Sequence, residues 1–428
     1  MYSDHRLDRR MFLELTGGFA LQSLVMPAAW AVSTADPPID NYFEDLLREQ
    51  HVPGIAVAII GQHGTVWSRG YGYADLALRT EMSPEKTIIN IGSVSKTITA
   101  TAVLQLCEQG KLSLTEDVNT WLPFPLRNPF HPETPITIWQ LLVHRSSIKD
   151  GMAYGRSYGC GPTRHDLGEW LRSYLCPGGE RYNPDDNFHT WAPGQSRIPP
   201  RPRSYSNIGF GVLGYLVEHV SGRPFPDYCT ERIFASLGMR DTHWRLTNVP
   251  AARHAVPYSF VDSSFTKLPE GWSASDMLPA AGVSTAWPPP TGSQFAHCAY
   301  EFATYPDGGL RTTAIDLARF LTAYVNGGHI GRERILREET VKSILTEQGL
   351  DGSPGQGLAW NARSIGAGRV LWGHGGSDPG VHAAMYFDPS TRIGIVILAN
   401  TSQGAIKGAL DQTYTYCAEY RWPSEAWK

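Results

Sequence analysis

The chain lacks most of the signals that assign chemistry quickly. No pair of its six cysteines has C-x-x-C spacing, which argues against a zinc ribbon or a thioredoxin-like site. No histidine is followed by glutamate, so the H-E-x-x-H helix of a zincin is absent. Charged residues are only 18% of the chain, the net charge is −4, and there is no long basic run, so nucleic acid is not expected as a partner. Beyond the first thirty or so residues, no apolar run is long enough to span a bilayer.

What is present is a globular composition. Of 428 residues, 42% are hydrophobic, enough for a large core, and the length suggests two or three domains. With 43 glycines and 31 prolines, many loops are expected. Cys107, Cys229 and Cys417 lie in apolar or aromatic helix-like runs and read as buried thiols. Cys160 and Cys176 flank one Gly-rich segment and are the favoured disulfide partners, although spacing does not fix connectivity.

Residues 39–50 have helical apolar spacing. "GIAVAII" (54–60) and the alternating "TVWSRGYGYA" (65–74) read as a hairpin around Gln62-His63-Gly64. A helical stripe runs from Thr97 to Gln109 and stops at Gly110, and another covers 208–220. "RVLWGH", "VHAAMYFD" and "RIGIVILAN" read as strands, followed by a last helix at about 405–420. Strands at both ends with helices between them predict an α/β protein of the α+β type. One antiparallel sheet would be built from 38–110 and 301–428 and flanked by helices. Residues 111–300 would form a mainly helical inserted domain with a long loop at 151–203. The cleft between two such units is a natural place for an active site.

The chemistry centres on "IGSVSKTITA". A hydroxyl becomes a useful nucleophile only when a base takes its proton. A lysine three residues later on a helix lies beside the serine, and desolvation favours its neutral, proton-accepting form. Ser93 and Lys96 have this spacing, whereas Ser95 projects about 100° away. The chain contains four S-x-x-K matches, the others being Ser83–Lys86, Ser146–Lys149 and Ser264–Lys267. Only Ser93 follows an apolar run and opens a helix with an apolar stripe, so its lysine is the one expected to be buried. Two further segments add polar groups. Tyr205-Ser206-Asn207 stands at the mouth of an apolar helix, where a phenol can shuttle protons and a carboxamide can orient a partner; a plain helix cap with Tyr205 as packing is the simpler reading of that segment alone. His374-Gly375-Gly376 ends a strand-like run, where small residues admit close approach, although a glycine turn would look the same.

S-x-x-K, Y-x-N and H-x-G in this order resemble the serine β-lactamase and penicillin-binding-protein superfamily. The likeness is to its class C-like branch, with family VIII-type carboxylesterases and D-stereospecific aminopeptidases, and it runs over roughly 38–400. "VPGIAVAII", "ITIWQLLVHRSS", "FASLGMRDT", "PDGGLRTTAIDLARFL" and "FDPSTRIGIVILAN" look like the family's segments too. The resemblance implies Ser93 as nucleophile and Lys96 with Tyr205 as general base and acid. Asn207 would hold the substrate amide or orient Lys96. The backbone N–H groups of Ser93 and Ser377 would form an oxyanion hole beside the wall His374-Gly375-Gly376. It implies no metal or organic cofactor, and a small ester, amide or peptide as substrate. A penicillin- or cell-wall-ligand-binding protein that is acylated but barely turns over, and an acyltransferase, are the competing readings. Two departures stand out. His374 and Gly375 replace the lysine and hydroxyl residue of the usual K-T-G, a change expected to weaken β-lactamase action in favour of esterase or aminopeptidase chemistry, unless Arg203 or Arg311 supplies the missing charge. Ser147 stands where the family often has glycine.

The N-terminus reads as an address. Arg9-Arg10 precedes a mostly apolar run that closes on Ala29-Trp30-Ala31, similar to a twin-arginine export signal with an A-x-A-type cleavage site, though Asp8 and Glu14 are unusual there. Residues 1–31 are therefore expected to be removed, leaving a periplasmic or secreted protein without a stable membrane span. Mass spectrometry of the exported protein should give a start near Val32, and replacing Arg9 and Arg10 with lysine should leave precursor in the cytoplasm. An exported protein that keeps Met1 would contradict this.

Overall fold

The computed structural model describes residues 38–195, 204–262, 290–348, 355–366, 368–404 and 406–419. The expected export segment, Arg203 and the Ser264–Lys267 pair lie outside these residues. The main helices are α1 (Pro38–Glu49), α2 (Ser95–Glu108), α3 (Leu167–Leu175), α4 (Asn207–Ser221), α5 (Ala314–Val325) and α6 (Ile406–Glu419). The main sheet holds β1 (Gly54–Gly61), β2 (Gly64–Asp75), β3 (Thr80–Glu81), β4 (Asn361–Ser364), β5 (Val370–Asp378), β6 (Val381–Phe387) and β7 (Gly394–Ala399).

The strands lie in the order β4-β5-β6-β7-β1-β2-β3, and neighbouring strands are antiparallel. Both chain ends therefore build one sheet, as the sequence pattern predicts. Val57 pairs with Ile397 on one side and Arg69 on the other. Every residue of β1 and β7 is buried, because helices cover both faces. Ile55, Val57, Ile59, Ile395 and Ile397 pack against Phe43 of α1 and Leu410 of α6. Ala56, Ala58, Ile60, Val396 and Leu398 face the other core, with Ile98 of α2 and Leu317 of α5. Such central strands read as unbroken apolar runs rather than alternating ones. Burying each Ile or Val contributes about 1.5–3 kcal/mol, so this two-sided packing fixes the register of β5 and of the turn packed against it.

Within the stretch expected as a long loop at 151–203, residues 151–195 carry the helices Met152–Gly155, α3 and Pro184–Asn187. Trp170, Leu171, Tyr174 and Leu175 of α3 are buried at i, i+1, i+4 and i+5, an amphipathic period hidden in a polar, Gly-rich neighbourhood. The residue at the family's glycine position has a physical reason. Ser147 has φ +64°, the left-handed region, and its buried hydroxyl accepts from Asn128 Nδ2 at 2.8 Å.

The expected Cys160–Cys176 disulfide is not formed. Cys160 is bonded to Cys298, with Cα atoms 5.6 Å apart. The short strand Gly159–Cys160 pairs with Tyr300–Glu301, which brings Cys298 alongside. Cys176 ends α3 as a buried thiol whose Sγ donates to Pro125 O at 3.3 Å. Cys229 and Cys417 are buried and Cys107 partly so. Burial pushes the Cys107 and Cys417 thiols up to about 12. The bond closes a loop with a sequence separation of 138 residues, so its loss should cost about 2–4 kcal/mol by releasing the unfolded chain. Cys160→Ser, or reductant, should lower the unfolding temperature, and Cys176→Ser should leave the reductant effect in place. A reductant-insensitive transition in the wild type would contradict the pairing.

Candidate active site

Ser93 lies in the tight turn Gly92–Val94, one step before α2 rather than within it. The turn runs directly into the helix, so the i, i+3 relation to Lys96 survives. Lys96 is fully buried, and its Nζ meets three oxygens: Ser93 Oγ at 3.1 Å, Asn207 Oδ1 at 2.6 Å and Asp307 O at 2.6 Å. Two of these are carbonyl oxygens and can only accept. A neutral amine has two N–H bonds and one lone pair. As an ammonium, Nζ has one hydrogen for each of the three oxygens; as a neutral amine with both N–H bonds on the carbonyls, it would turn its lone pair to the hydroxyl, the one oxygen of the three that can donate. The rings of Tyr205 and Phe210 close the remaining sides, with centroids 4.8 Å and 5.5 Å from Nζ.

The other serines are engaged elsewhere. Ser95 Oγ is buried and accepts from Leu310 N at 3.1 Å. Lys149 Nζ donates to Asp185 O, and Lys86 is exposed.

Tyr205 and Asn207 arrive at the mouth of α4. Ser206 caps that helix, its Oγ accepting from Gly209 N at 3.1 Å, so the segment is both cap and site wall. Two residues missed in the sequence arrange it. Asp150 accepts from Asn207 N, Ile208 N, Ser206 Oγ and Asn207 Nδ2, the last at 2.9 Å. Holding Nδ2 turns the carboxamide oxygen of Asn207 toward Lys96. Burial raises the Asp150 carboxyl, while the backbone donors of Asn207 and Ile208 pull it back. His144 stacks on Tyr205 with ring centres 4.2 Å apart, and its Nδ1 accepts from Ser206 N at 3.1 Å. Both lie in or just after "LLVHRSS". The only sequence signal was an Asp just after a decoy S-x-x-K, which nothing local marks as reaching across to residue 207.

β5 supplies the opposite wall. His374 is buried, its ring 6.4 Å from that of Tyr205, and its Nδ1–H donates to Gly375 O. A side chain at Gly375 would have room: the nearest atoms to an added Cβ are Ala383 O and Tyr386 Oη, both at 3.8 Å. Gly376 has none. A Cβ there would sit 2.0 Å from Ile91 O and 3.3 Å from Ser93 N, and one on Gly92, at φ +50°, would lie 2.9 Å from Ser377 N. Two glycines therefore let strand and turn touch, with the amides of Ser93 and Ser377 beside the contact. Arg311 does not replace the missing lysine: it is fully buried and donates to Gly309 O and Tyr300 O. Among the described residues, no group of His, Cys, Asp and Glu side chains is arranged to hold a metal ion, and no helix is long and apolar enough to cross a membrane.

Comparison with known proteins gives the family and the fold. The Beta-lactamase family model matches residues 39–415. Esterase EstB of Burkholderia gladioli is 27% identical over 414 residues, covering 90% of this chain and 95% of that protein. The crystal structure of D-amino acid amidase from Ochrobactrum anthropi SV3 complexed with L-phenylalanine superposes with a TM-score of 0.67 at 21% identity, over 89% of this chain and 99% of that one. A class C beta-lactamase gives 0.60 at 21% identity, over 88% and 92%. At such identities the two structures speak for the fold alone. The family model spans the whole sheet and every residue of the site, and on that evidence the chain belongs to the beta-lactamase family of serine hydrolases.

Proposed function

We propose that this protein is an exported hydrolase that cleaves small, uncharged esters, and related amides, through an acyl-enzyme on Ser93. The observation that carries the reading is the buried Lys96 amine, 3.1 Å from Ser93 Oγ with its other two contacts on carbonyls. Lys96 takes the Ser93 proton as Oγ attacks the acyl carbon. The oxyanion forms between the amides of Ser93 and Ser377, where a single such donor is worth about 3–4 kcal/mol in the transition state. Tyr205, over the amine, passes the proton to the leaving oxygen or nitrogen. Water then enters, the same groups take its proton, and Ser93 is released. An esterase relative over nearly the whole length, and an amidase of the same fold, support this range of leaving groups.

The test is covalent labelling and a hydrolysis panel on the mature protein: short p-nitrophenyl esters, D-amino-acid amides and nitrocefin. Ser93→Ala should abolish labelling by a serine-directed phosphonate, while Ser95→Ala and Ser83→Ala keep it. Labelling without turnover would favour the ligand-binding reading, and turnover only with an added alcohol or amine would favour acyl transfer.

His374 is proposed to set preference within the panel. A lysine there would offer a fixed charge to a substrate carboxylate; an imidazole whose Nδ1–H is spent on Gly375 O does not. The open space at Gly375 can take the missing hydroxyl residue. In the double variant His374→Lys, Gly375→Thr, the ratio of nitrocefin to ester kcat/KM should rise by at least about tenfold, roughly 1.4 kcal/mol of differential transition-state binding. An unchanged ratio in a folded variant would remove His374 from control of selectivity.

A further inference from the structure

Behind Lys96 runs a chain of four acidic and phenolic groups that the proposed chemistry does not use. Tyr154 Oη contacts Asp307 Oδ1 at 3.1 Å, Tyr154 and Tyr158 hydroxyls lie 3.2 Å apart, and Tyr158 Oη contacts Asp378 Oδ1 at 3.0 Å. The chain joins three separate parts of the site. Asp307 gives its backbone carbonyl to Lys96. Asp378 follows Ser377 at the end of β5. The tyrosines belong to the helix Met152–Gly155 and the turn after it, just beyond Asp150.

The hydrogens in this chain can be counted. Three contacts need three hydrogens if each is to be a hydrogen bond. The two phenols supply one each, and burial holds both well above their ordinary values, so neither gives its hydrogen up. If both carboxyls were ionised, each phenol would donate outward and the contact between the phenols would set lone pair against lone pair. One carboxyl proton completes the chain. The order is then either Asp378–OH to Tyr158 to Tyr154 to Asp307 carboxylate, or the reverse, and a concerted shift of three hydrogens converts one into the other without net loss.

We propose that Asp307 and Asp378 share a single proton through Tyr154 and Tyr158, and that this proton keeps the chain closed and the Asp307 carbonyl seated on Lys96. Tyr154, Tyr158 and Asp378 are then positioning residues, and the inference rests on the reading of Lys96 as the base. The surroundings fit one retained proton. Asp307 faces Lys96 and Asp150, and its second oxygen accepts from Thr304 Oγ1 at 2.6 Å. Asp378 faces Tyr300 and the buried Arg311, which itself faces Glu301. Burial, acting against Lys96 on one carboxyl and against the Tyr158 hydrogen bond on the other, pushes each up to about 7. The sign follows. The folded protein holds this proton above the ordinary aspartate value of 3.8, so its stabilising contribution is complete below 3.8 and is lost as the pH rises through about 7.

The experiment pairs infrared spectroscopy of protein with isotope-labelled aspartate with pH profiles of ester hydrolysis. The wild type minus Asp378→Asn difference should show one protonated carboxyl at about pH 6 that is gone by about pH 9. Wild-type kcat should fall over the same interval with KM changed less. In Asp378→Asn the amide N–H donates to Tyr158 at every pH, so that alkaline fall should disappear. Tyr154→Phe breaks the chain at every pH and should lower kcat by at least about tenfold. If Asp378→Asn does not fold, the wild-type infrared titration and kcat profile decide together by coinciding or not. No titrating carboxyl, or an alkaline fall that persists in Asp378→Asn, overturns the proposal. The infrared result needs no substrate, so failure of Ser93 labelling would sink the hydrolase reading without deciding this one.

Discussion

A lysine amine with no exposed surface is the constraint around which the site is organised. Burying such a group is costly unless every hydrogen and lone pair has a partner. Each partner of Lys96 is held in turn by something else. Asn207 is turned by Asp150. Asp307 is tied through its side chain to Thr304 and Tyr154. The lysine therefore needs α2, α4 and the turn before Gly308 to meet at one point. Removing one carbonyl partner would strand an N–H and also free the amine to rotate away from Ser93.

That meeting point depends on a sheet that cannot shift. β1 and β7 are buried on both faces, and a slip of one residue would exchange their two apolar sets between different cores. β5 is tied to them through β6, with Gly375 opposite Ala384, and so reaches the turn that carries Ser93 at a fixed height. The contact is made by absence of side chains: at Gly376 even a methyl group would collide with Ile91 O. The proposed oxyanion wall thus owes its position to aliphatic packing elsewhere in the sheet.

Most of this architecture was legible where chemistry is local. The apolar runs of β1 and β7, the stripe of α2 and the Tyr205-Ser206-Asn207 cap signal their elements directly, and the isolation of Ser93 among four S-x-x-K matches follows from which one precedes a buried helix. What escaped is what depends on distance in the chain. Asp150 acts on residue 207, Tyr154 on residue 307, and Cys160 on residue 298. No periodicity marks such partners, because their neighbours are created by the fold. α3 escaped for a different reason: its nine residues sit among glycines and charges that dilute the helical period.

The third motif and the acidic chain act in the same electrostatic direction. The family's lysine is replaced by an imidazole whose Nδ1–H is spent on a backbone carbonyl, and the buried guanidinium of Arg311 is spent on carbonyls as well. Asp150, Asp307 and Asp378 meanwhile lie behind the amine and the β5 wall, Asp307 buried and the other two partly so. In a medium of reduced dielectric these carboxyls act over longer range than they would in water. Among the described residues, the third motif offers a substrate carboxylate no fixed cation, whereas a neutral acyl group needs none. Under the proposed preference for neutral substrates, selectivity would belong to two layers, the wall that touches the substrate and the acids beneath it. The lower layer is the one whose charge changes with a single shared proton.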